Sequence, residues 1–306
     1  MLLYHSTPVQ ELSDHPAALK AGVRLLVQRE DLNHPFVSGN KWWKLKYNLI
    51  EASRQNFNTI LTFGGAYSNH IYATAAATRE SGFKCIGVIR GEESRQMNAT
   101  LAFAREQGME LYPVSRADYR QKEDPVFINK LHQLFGEFYL IPEGGSNIQG
   151  VKGCSEFALE HLSKVTFDHL FLPVGTGGTL AGIVAGFKGN KMITGIPVVK
   201  GGKGLAHDVS RMITDFYGSD PGNWRLLTEY HQGGYAKVTD ELLSFIDQMK
   251  RFGLPLDHVY TGKLLLAVIR EIEMRSFSQG ATILVVHTGG LQGAIASPDV
   301  LPNRIP

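Results

Sequence analysis

One lysine sits where its amine could act as a nucleophile. In S-G-N-K-W-W-K-L-K-Y, residues 38–47, a short polar turn opens a helix and places Lys41 in the first turn. The positive end of a helix disfavours an ammonium, and desolvation acts in the same direction. Both favour the neutral amine that a Schiff base with an aldehyde requires. A lysine taken alone is ordinarily a solvated surface residue, but the glycine before this one and the two tryptophans after it favour burial.

Four glycine-rich turns each follow an apolar run. They are G-G-A-Y-S-N at 64–69, E-G-G-S-N at 143–147, G-T-G-G-T at 175–179 and T-G-G-L-Q-G at 288–293. One such turn is ordinary punctuation between strand and helix. Four at the same end of a parallel sheet suggest a shared anion-rich site. In G-T-G-G-T, backbone N–H groups converge near a helix N-terminus, and Thr176 and Thr179 add hydroxyls, so a phosphate fits. The dinucleotide fingerprint does not: its third glycine would fall on Leu180, and Gly195 stands where the acidic residue is expected. There is no G-x-x-x-x-G-K-[ST] loop, which disfavours a nucleotide-binding α/β protein.

The runs that must position these turns alternate in type. Strands are predicted at 59–63, 85–89, 109–114, 138–142, 169–174 and 282–287. Helices are predicted at 70–81, 94–107, 126–135, 148–164 and 179–188. This alternation predicts an α/β chain with mostly parallel sheets flanked by helices, whose ligands bind at the C-terminal strand ends. A chain of 306 residues suggests two domains.

Composition narrows the partners. With 31 basic and 29 acidic residues the net charge is +2, which gives no reason to expect nucleic acid or a membrane surface. Cys85 and Cys154 form no CxxC pair and are expected as reduced thiols in a cytoplasmic protein. No signal peptide, membrane span or metal site is expected.

Taken together, G-N-K-x-x-K-L-x-Y, G-G-x-x-S-N-H, G-T-G-G-T, V-Y-T-G-K and H-T-G-G resemble, in order and spacing, the pyridoxal-phosphate family of D-cysteine desulfhydrase and 1-aminocyclopropane-1-carboxylate (ACC) deaminase. The resemblance spans nearly the whole chain. It implies pyridoxal 5'-phosphate as cofactor, a homodimer, and the tryptophan synthase β-subunit-like fold (fold type II), with two twisted, mostly parallel sheets. Residues 1–50 and 153–306 are expected to form a large cofactor-binding domain and residues 51–152 a small α/β domain.

By the same resemblance Lys41 carries the cofactor and Asn69 contacts its phenolic oxygen. Gly175, Thr176, Gly177, Gly178 and Thr179 cup its phosphate, with help from Lys44. Ser68, Asn69 and His70 hold the substrate carboxylate, and Ser68 stands beside the reacting carbon. Tyr260 and, by a looser match, Tyr235 are active-site tyrosines, although tyrosine is also common at core margins. Thr261 and Thr288 occupy positions where the ACC deaminase branch has glutamate and leucine, so hydroxyls rather than a carboxylate would face the pyridine nitrogen. A less protonated ring is a weaker electron sink, which suits β-elimination from D-cysteine or a similar D-amino acid to pyruvate, ammonia and sulfide. Lyase, deaminase and hydrolase chemistry are all expected on this basis. The alternatives are ACC deaminase, another lyase or racemase of this fold acting on serine-like or sulfonated amino acids, and a cofactor-binding homologue without turnover. Tyr67 and the L-Q-G-A-I segment at 291–295 depart from the family pattern, and both are expected near the substrate pocket.

Overall fold

The computed structural model describes residues 2–91, 97–200 and 202–293. A six-stranded sheet runs in the order β1 (Val9–Glu11), β2 (Arg24–Gln28), β10 (Thr282–Val286), β7 (His169–Val174), β8 (Ile193–Pro197) and β9 (Trp224–Leu226). All of its pairings are parallel except β1 with β2. A four-stranded, wholly parallel sheet runs in the order β5 (Met109–Val114), β4 (Lys84–Arg90), β3 (Thr59–Gly65) and β6 (Tyr139–Ile141).

The helices are α1 (Pro16–Ala21), α2 (Asn40–Arg54), α3 (Asn69–Glu80), α4 (Ala99–Glu106), α5 (Arg116–Tyr119), α6 (Pro125–Phe135), α7 (Ile148–Glu160), α8 (Gly178–Phe187), α9 (Gly202–Tyr217), α10 (Asp240–Met249) and α11 (Thr261–Glu273). The strands expected from β-branched runs are present. The start of the helix expected at 94–107 lies outside the described residues, and its remainder is α4. The helix expected at 148–164 ends at Glu160 and is followed by a 3-10 turn, Leu162–Lys164.

Helix α2 joins the two sheets. Trp42, Trp43, Leu45, Leu49 and Ala52 are buried in one cluster with Ile60, Ala73 and Ile141 of the small-sheet side and Leu172, Leu284 and Val286 of the large sheet. Separate apolar clusters lie beneath the small sheet, around Phe63 and Phe127, and on the far face of the large sheet, around Phe171 and Leu265. The strands of the small sheet therefore all come from residues 59–141, while the core that seats them is continuous with that of the large sheet.

Helices α2, α7 and α8 approach one another through glycines. A Cβ on Gly153 of α7 would lie 1.8 Å from the Trp43 carbonyl oxygen, and one on Gly182 of α8 would lie 2.3 Å from Cys154 Cβ. Close approach needs both glycines in spite of their poor helix propensity. Gly153→Ala is therefore expected to lower the unfolding free energy by about 1–3 kcal/mol, against the gain of ~1 kcal/mol that helix propensity alone would give. Urea denaturation of the two proteins measures the difference.

Candidate active site

The C-terminal ends of both sheets face one cavity of about 390 Å³. Helix α2 supplies Asn40, Lys41 and Lys44, and the turn after β3 supplies Gly65, Ser68, Asn69 and His70. Arg90 closes β4, Glu143 and Gly144 follow β6, and the 175–179 turn follows β7. Thr288 and Gly289 follow β10, and Tyr235 and Tyr260 complete the wall.

Lys41, Lys44 and Asn48 fall at i, i+3 and i+7 on α2, which puts them on one face. Asn48 stays buried because its side chain donates to the Lys44 carbonyl at 2.7 Å and exchanges hydrogen bonds with Asn147. Burial, together with the charge of Lys44, lowers the Lys41 amine to about 7, and burial lowers Lys44 to about 8. Lys44 donates to the Gly144 carbonyl at 2.9 Å and to Ser146 Oγ at 3.2 Å. Among the described residues Lys41 has one hydrogen-bond partner, Asn40 Oδ1, at 3.4 Å. The second lysine is thus anchored, and the first is left poised.

The α2 turn fits against the last glycine loop. Gly39 has φ 70°, and a Cβ there would lie 1.9 Å from the Thr288 carbonyl oxygen, which also accepts from Asn40 N at 3.2 Å. Gly290, with φ 90°, leaves room for the Asn69 carboxamide, because a Cβ there would stand 1.9 Å from Nδ2. Gln292 Nε2 donates to Asn69 Oδ1, which leaves Nδ2 as the donor available to a ligand.

Ser68 caps α3: its Oγ accepts from His70 N at 3.2 Å and Ile71 N at 3.4 Å. The hydroxyl proton is therefore free to donate elsewhere. The His70 ring meets Thr62 Oγ1 at 2.8 Å, and that hydroxyl donates to the Ile141 carbonyl. Burial and the two lysine charges hold His70 well below the usual imidazole range. It stays neutral and ties the 68–70 turn to β3.

The 175–179 turn suits a phosphate. Gly177, at φ 87°, is the N-cap of α8 and supplies no side-chain cap, so the first N–H groups of the helix are left to a ligand. Thr176 meets Ser146 Oγ at 2.5 Å, and Asn40 Nδ2 donates to Thr179 Oγ1 at 2.8 Å. Gly175 packs under Tyr260, where a Cβ would lie 3.2 Å from Cε1. Gly178 is just behind the lining, and a Cβ there would lie 3.1 Å from Lys44 Nζ. A Gly177 side chain would strike Val209 of α9 at 2.6 Å, so this glycine serves the packing of the turn on α9 as well as its open face. The uncapped helix end, the hydroxyls and the buried Lys44 together fit a phosphate group such as that of pyridoxal phosphate.

Thr261 does not line the cavity, contrary to the expectation for the pyridine partner. Asp257 claims it: Oδ2 accepts from the Thr261 hydroxyl at 2.7 Å and its amide at 3.0 Å, while Oδ1 takes the amides of Val259 and Tyr260. The threonine is used to start α11, and of the two threonines only Thr288 faces the cavity. Tyr67 is 57% exposed and also lies outside the lining. In the 291–295 segment, positions 294 and 295 lie outside the described residues. Tyr235 and Tyr260 meet edge-on with ring centroids 6.3 Å apart, and burial raises both hydroxyls above the ordinary phenol range.

Residues 1–289 match the family described as pyridoxal-phosphate dependent enzyme. The chain belongs to that family. Among its relatives, a Thermotoga maritima protein provisionally named 1-aminocyclopropane-1-carboxylate deaminase is 33% identical over 304 residues, covering 95% of each chain. A D-cysteine desulfhydrase of Yersinia enterocolitica is 26% identical, over 96% of this chain and 94% of its own. A crystal structure of an ACC deaminase homologue superposes with a TM-score of 0.84 at 28% identity, over 98% of this chain and 94% of the other. The fold is the mixed α/β arrangement of the type II enzymes, and the cofactor is pyridoxal phosphate. The expectation of hydrolase chemistry is corrected: these relatives are named as a deaminase and a desulfhydrase of a lyase family.

No site role was expected for Asn40 or Arg90, and Glu143 and Ser146 were marked only as members of the 143–147 turn. Arg90 and Glu143 had a usable signal, since each stands at the C-terminal end of a strand of a parallel sheet. In cofactor-free protein, acylation of Lys41 is expected to rise with pH about a midpoint near 7, against 10.5 for an unperturbed lysine. Lys44→Met should move that midpoint upward, because the Lys44 charge is one of its causes. Mass-spectrometric mapping of acylated lysines across a pH series reads both effects.

Proposed function

We propose that the cavity carries out β-elimination on a small D-amino acid bearing a thiol-like leaving group, with D-cysteine giving pyruvate, ammonia and sulfide. The observation that carries this reading is Thr288. It is the cavity-facing side chain of the β10 turn, and it offers a hydroxyl rather than a carboxylate. The carboxylate of Asp257 is engaged by three amides and a hydroxyl at the start of α11.

Pyridoxal phosphate, when bound, supplies an electron sink for the substrate's α-carbon. Lys41 would hold it at the aldehyde and then, as a neutral amine, take the α-proton. Lys44, Ser146, Thr176 and Thr179 would fix the phosphate end. The Ser68 hydroxyl, with its lone pairs given to the α3 amides, would donate to the substrate carboxylate or pass a proton at the reacting carbon. Tyr260 and Tyr235 remain protonated phenols at working pH and can donate to the departing group.

Ring opening of ACC is the second reading, favoured by the name and 33% identity of the Thermotoga maritima relative. That reaction offers no α-proton for Lys41 to take and so needs a different start. In either case Lys41→Ala is expected to reduce turnover by roughly 10³-fold or more. Sulfide release from D-cysteine is expected to exceed 2-oxobutanoate release from ACC. An assay of both substrates with cofactor-loaded protein decides between the readings, and ready ACC turnover without sulfide would reverse them.

A further inference from the structure

Lys263 is a buried lysine that the proposed chemistry leaves without a task. It stands in the first turn of α11 and does not line the cavity. Its amine donates to the carbonyl of His231 at 3.0 Å and to that of Gly234 at 2.6 Å. Both carbonyls already serve the backbone. His231 O accepts from Gly234 N at 3.0 Å, and Gly234 O accepts from Lys237 N at 3.1 Å. The amine therefore ties two successive turns, 231–234 and 234–237, to one point on the helix. Tyr235 opens the second turn and lines the cavity.

The backbone around Tyr235 needs such support. Gln232 and Ala236 have φ of 50° and 54°, and Gly233 and Gly234 have φ of 83° and 112°. Left-handed conformations at non-glycine residues cost conformational energy that neighbouring bonds must offset. Two bonds come from nearby side chains: His231 Nδ1 accepts from Gly233 N at 3.0 Å, and Thr239 Oγ1 donates to Gln232 Oε1 at 3.3 Å. Both act before Gly234, whereas the Lys263 amine reaches the peptide that joins Gly234 to Tyr235. Tyr260 is fixed from the same place. Its amide donates to Asp257 Oδ1 at 2.7 Å, and Asp257 also takes the Thr261 amide at the start of α11. The two rings that meet edge-on are thus both set from one helix start, one through Asp257 and the other through Lys263.

We propose that Lys263 is a positioning residue for the reaction: by holding the Gly234–Tyr235 peptide it keeps the Tyr235 phenol aimed at the reacting end of the bound amino acid. This rests on the cavity being the amino-acid site, and it adds a residue that touches neither substrate nor cofactor.

Two measurements test the role, and one needs no turnover. Hydrogen-exchange mass spectrometry of cofactor-loaded protein reads the amides of residues 231–237. Lys263→Met should speed their exchange about tenfold or more and leave peptides from β7 and β10 unchanged. Lys263→Gln, with two N–H groups on a shorter chain, should keep one of the two carbonyl bonds and fall between. The second measurement is a double-mutant cycle on kcat for D-cysteine. Lys263→Met and Tyr235→Phe should each lower kcat by about 10- to 100-fold with KM changed by no more than about threefold, and the double variant should be no slower than Tyr235→Phe alone. Should Lys263→Met not fold, Lys263→Gln closes the same cycle with a smaller loss. Additive losses would overturn the proposal, because the lysine would then support the fold rather than the phenol. Unchanged exchange at 231–237 would overturn it as well, and so would full activity of Tyr235→Phe. Absence of sulfide release by the wild-type protein would count against β-elimination alone; the cycle is then run on ACC, and the exchange comparison stands as it is.

Discussion

Two lysine amines are set into the interior on one face of one helix, one buried and one opening onto the cavity, and much of the architecture follows from that. A buried ammonium is costly unless paired, so a side chain in this position either finds a counter-charge or gives up its proton. No carboxylate is ion-paired to Lys41 or Lys44 among the described residues. A carboxylate would have held both amines protonated and useless as nucleophiles. Instead Lys44 is satisfied by a carbonyl and a hydroxyl, which support a bound cation weakly and impose no charge of their own. Lys41 keeps one long contact and is pushed to about 7. Carbonyls can come this close only where the backbone itself can. Gly145 illustrates this: a side chain there would press on Lys44 Cβ at 3.3 Å and on His70 Cε1 at 3.4 Å.

The same requirement explains why α2 is the hinge of the core rather than a surface helix. To bury a polar stripe, the helix must be wrapped on its remaining faces. Trp42 and Trp43 do this while keeping their indole N–H groups paired, one with the Leu3 carbonyl at 3.0 Å and the other with Glu30 at 2.8 Å. Glu30 in turn accepts from Asn33 and Gln28, so a buried carboxylate is held by neutral donors well away from the lysines. Glycine contacts then bring α7 up against α2 and α8 up against α7, giving a floor that cannot shift without a backbone clash. A site that must hold an aldehyde carbon next to one amine benefits from such rigidity.

Most of the frame was legible in the sequence because it follows from backbone rules. Parallel β-α alternation fixed where the ligand loops lie, and glycine clusters marked which loops approach closely. The family motif G-N-K-x-x-K-L marked both Lys41 and Lys44. What was not legible depended on which of two neighbours a side chain turns to. Thr261 was expected at the cavity, but Asp257, four residues earlier, offers its hydroxyl a bond at 2.7 Å while also capping α11. Tyr67 adjoins the Ser68 turn in sequence, yet the turn points it to solvent. Arg90 carried no motif at all, and only its place at a strand end made it relevant. The strands of the large sheet nearest the N-terminus, β1 and β2, also went unanticipated, since R-L-L-V-Q is too short to declare a period.

The last lysine of the V-Y-T-G-K motif shows how one local chemistry serves two ends. Lys263 is fully buried and lowered by burial to about 8, much like Lys44. It donates to the carbonyls of His231 at 3.0 Å and Gly234 at 2.6 Å, and it is not among the residues that line the cavity of about 390 Å³. The loop it holds is unusual: Gln232, Gly233, Gly234 and Ala236 all have positive φ. Two of these are not glycines, and such a backbone persists only where surrounding bonds over-determine it. Tyr235 lies in the middle of this loop, facing Tyr260, which immediately precedes α11. The lysine two residues into that helix therefore fixes the distance between the two phenols, although it touches neither. In α2 a buried amine is left free to react; in α11 a buried amine is spent on backbone carbonyls so that two tyrosines from separate loops meet edge-on in the cavity wall.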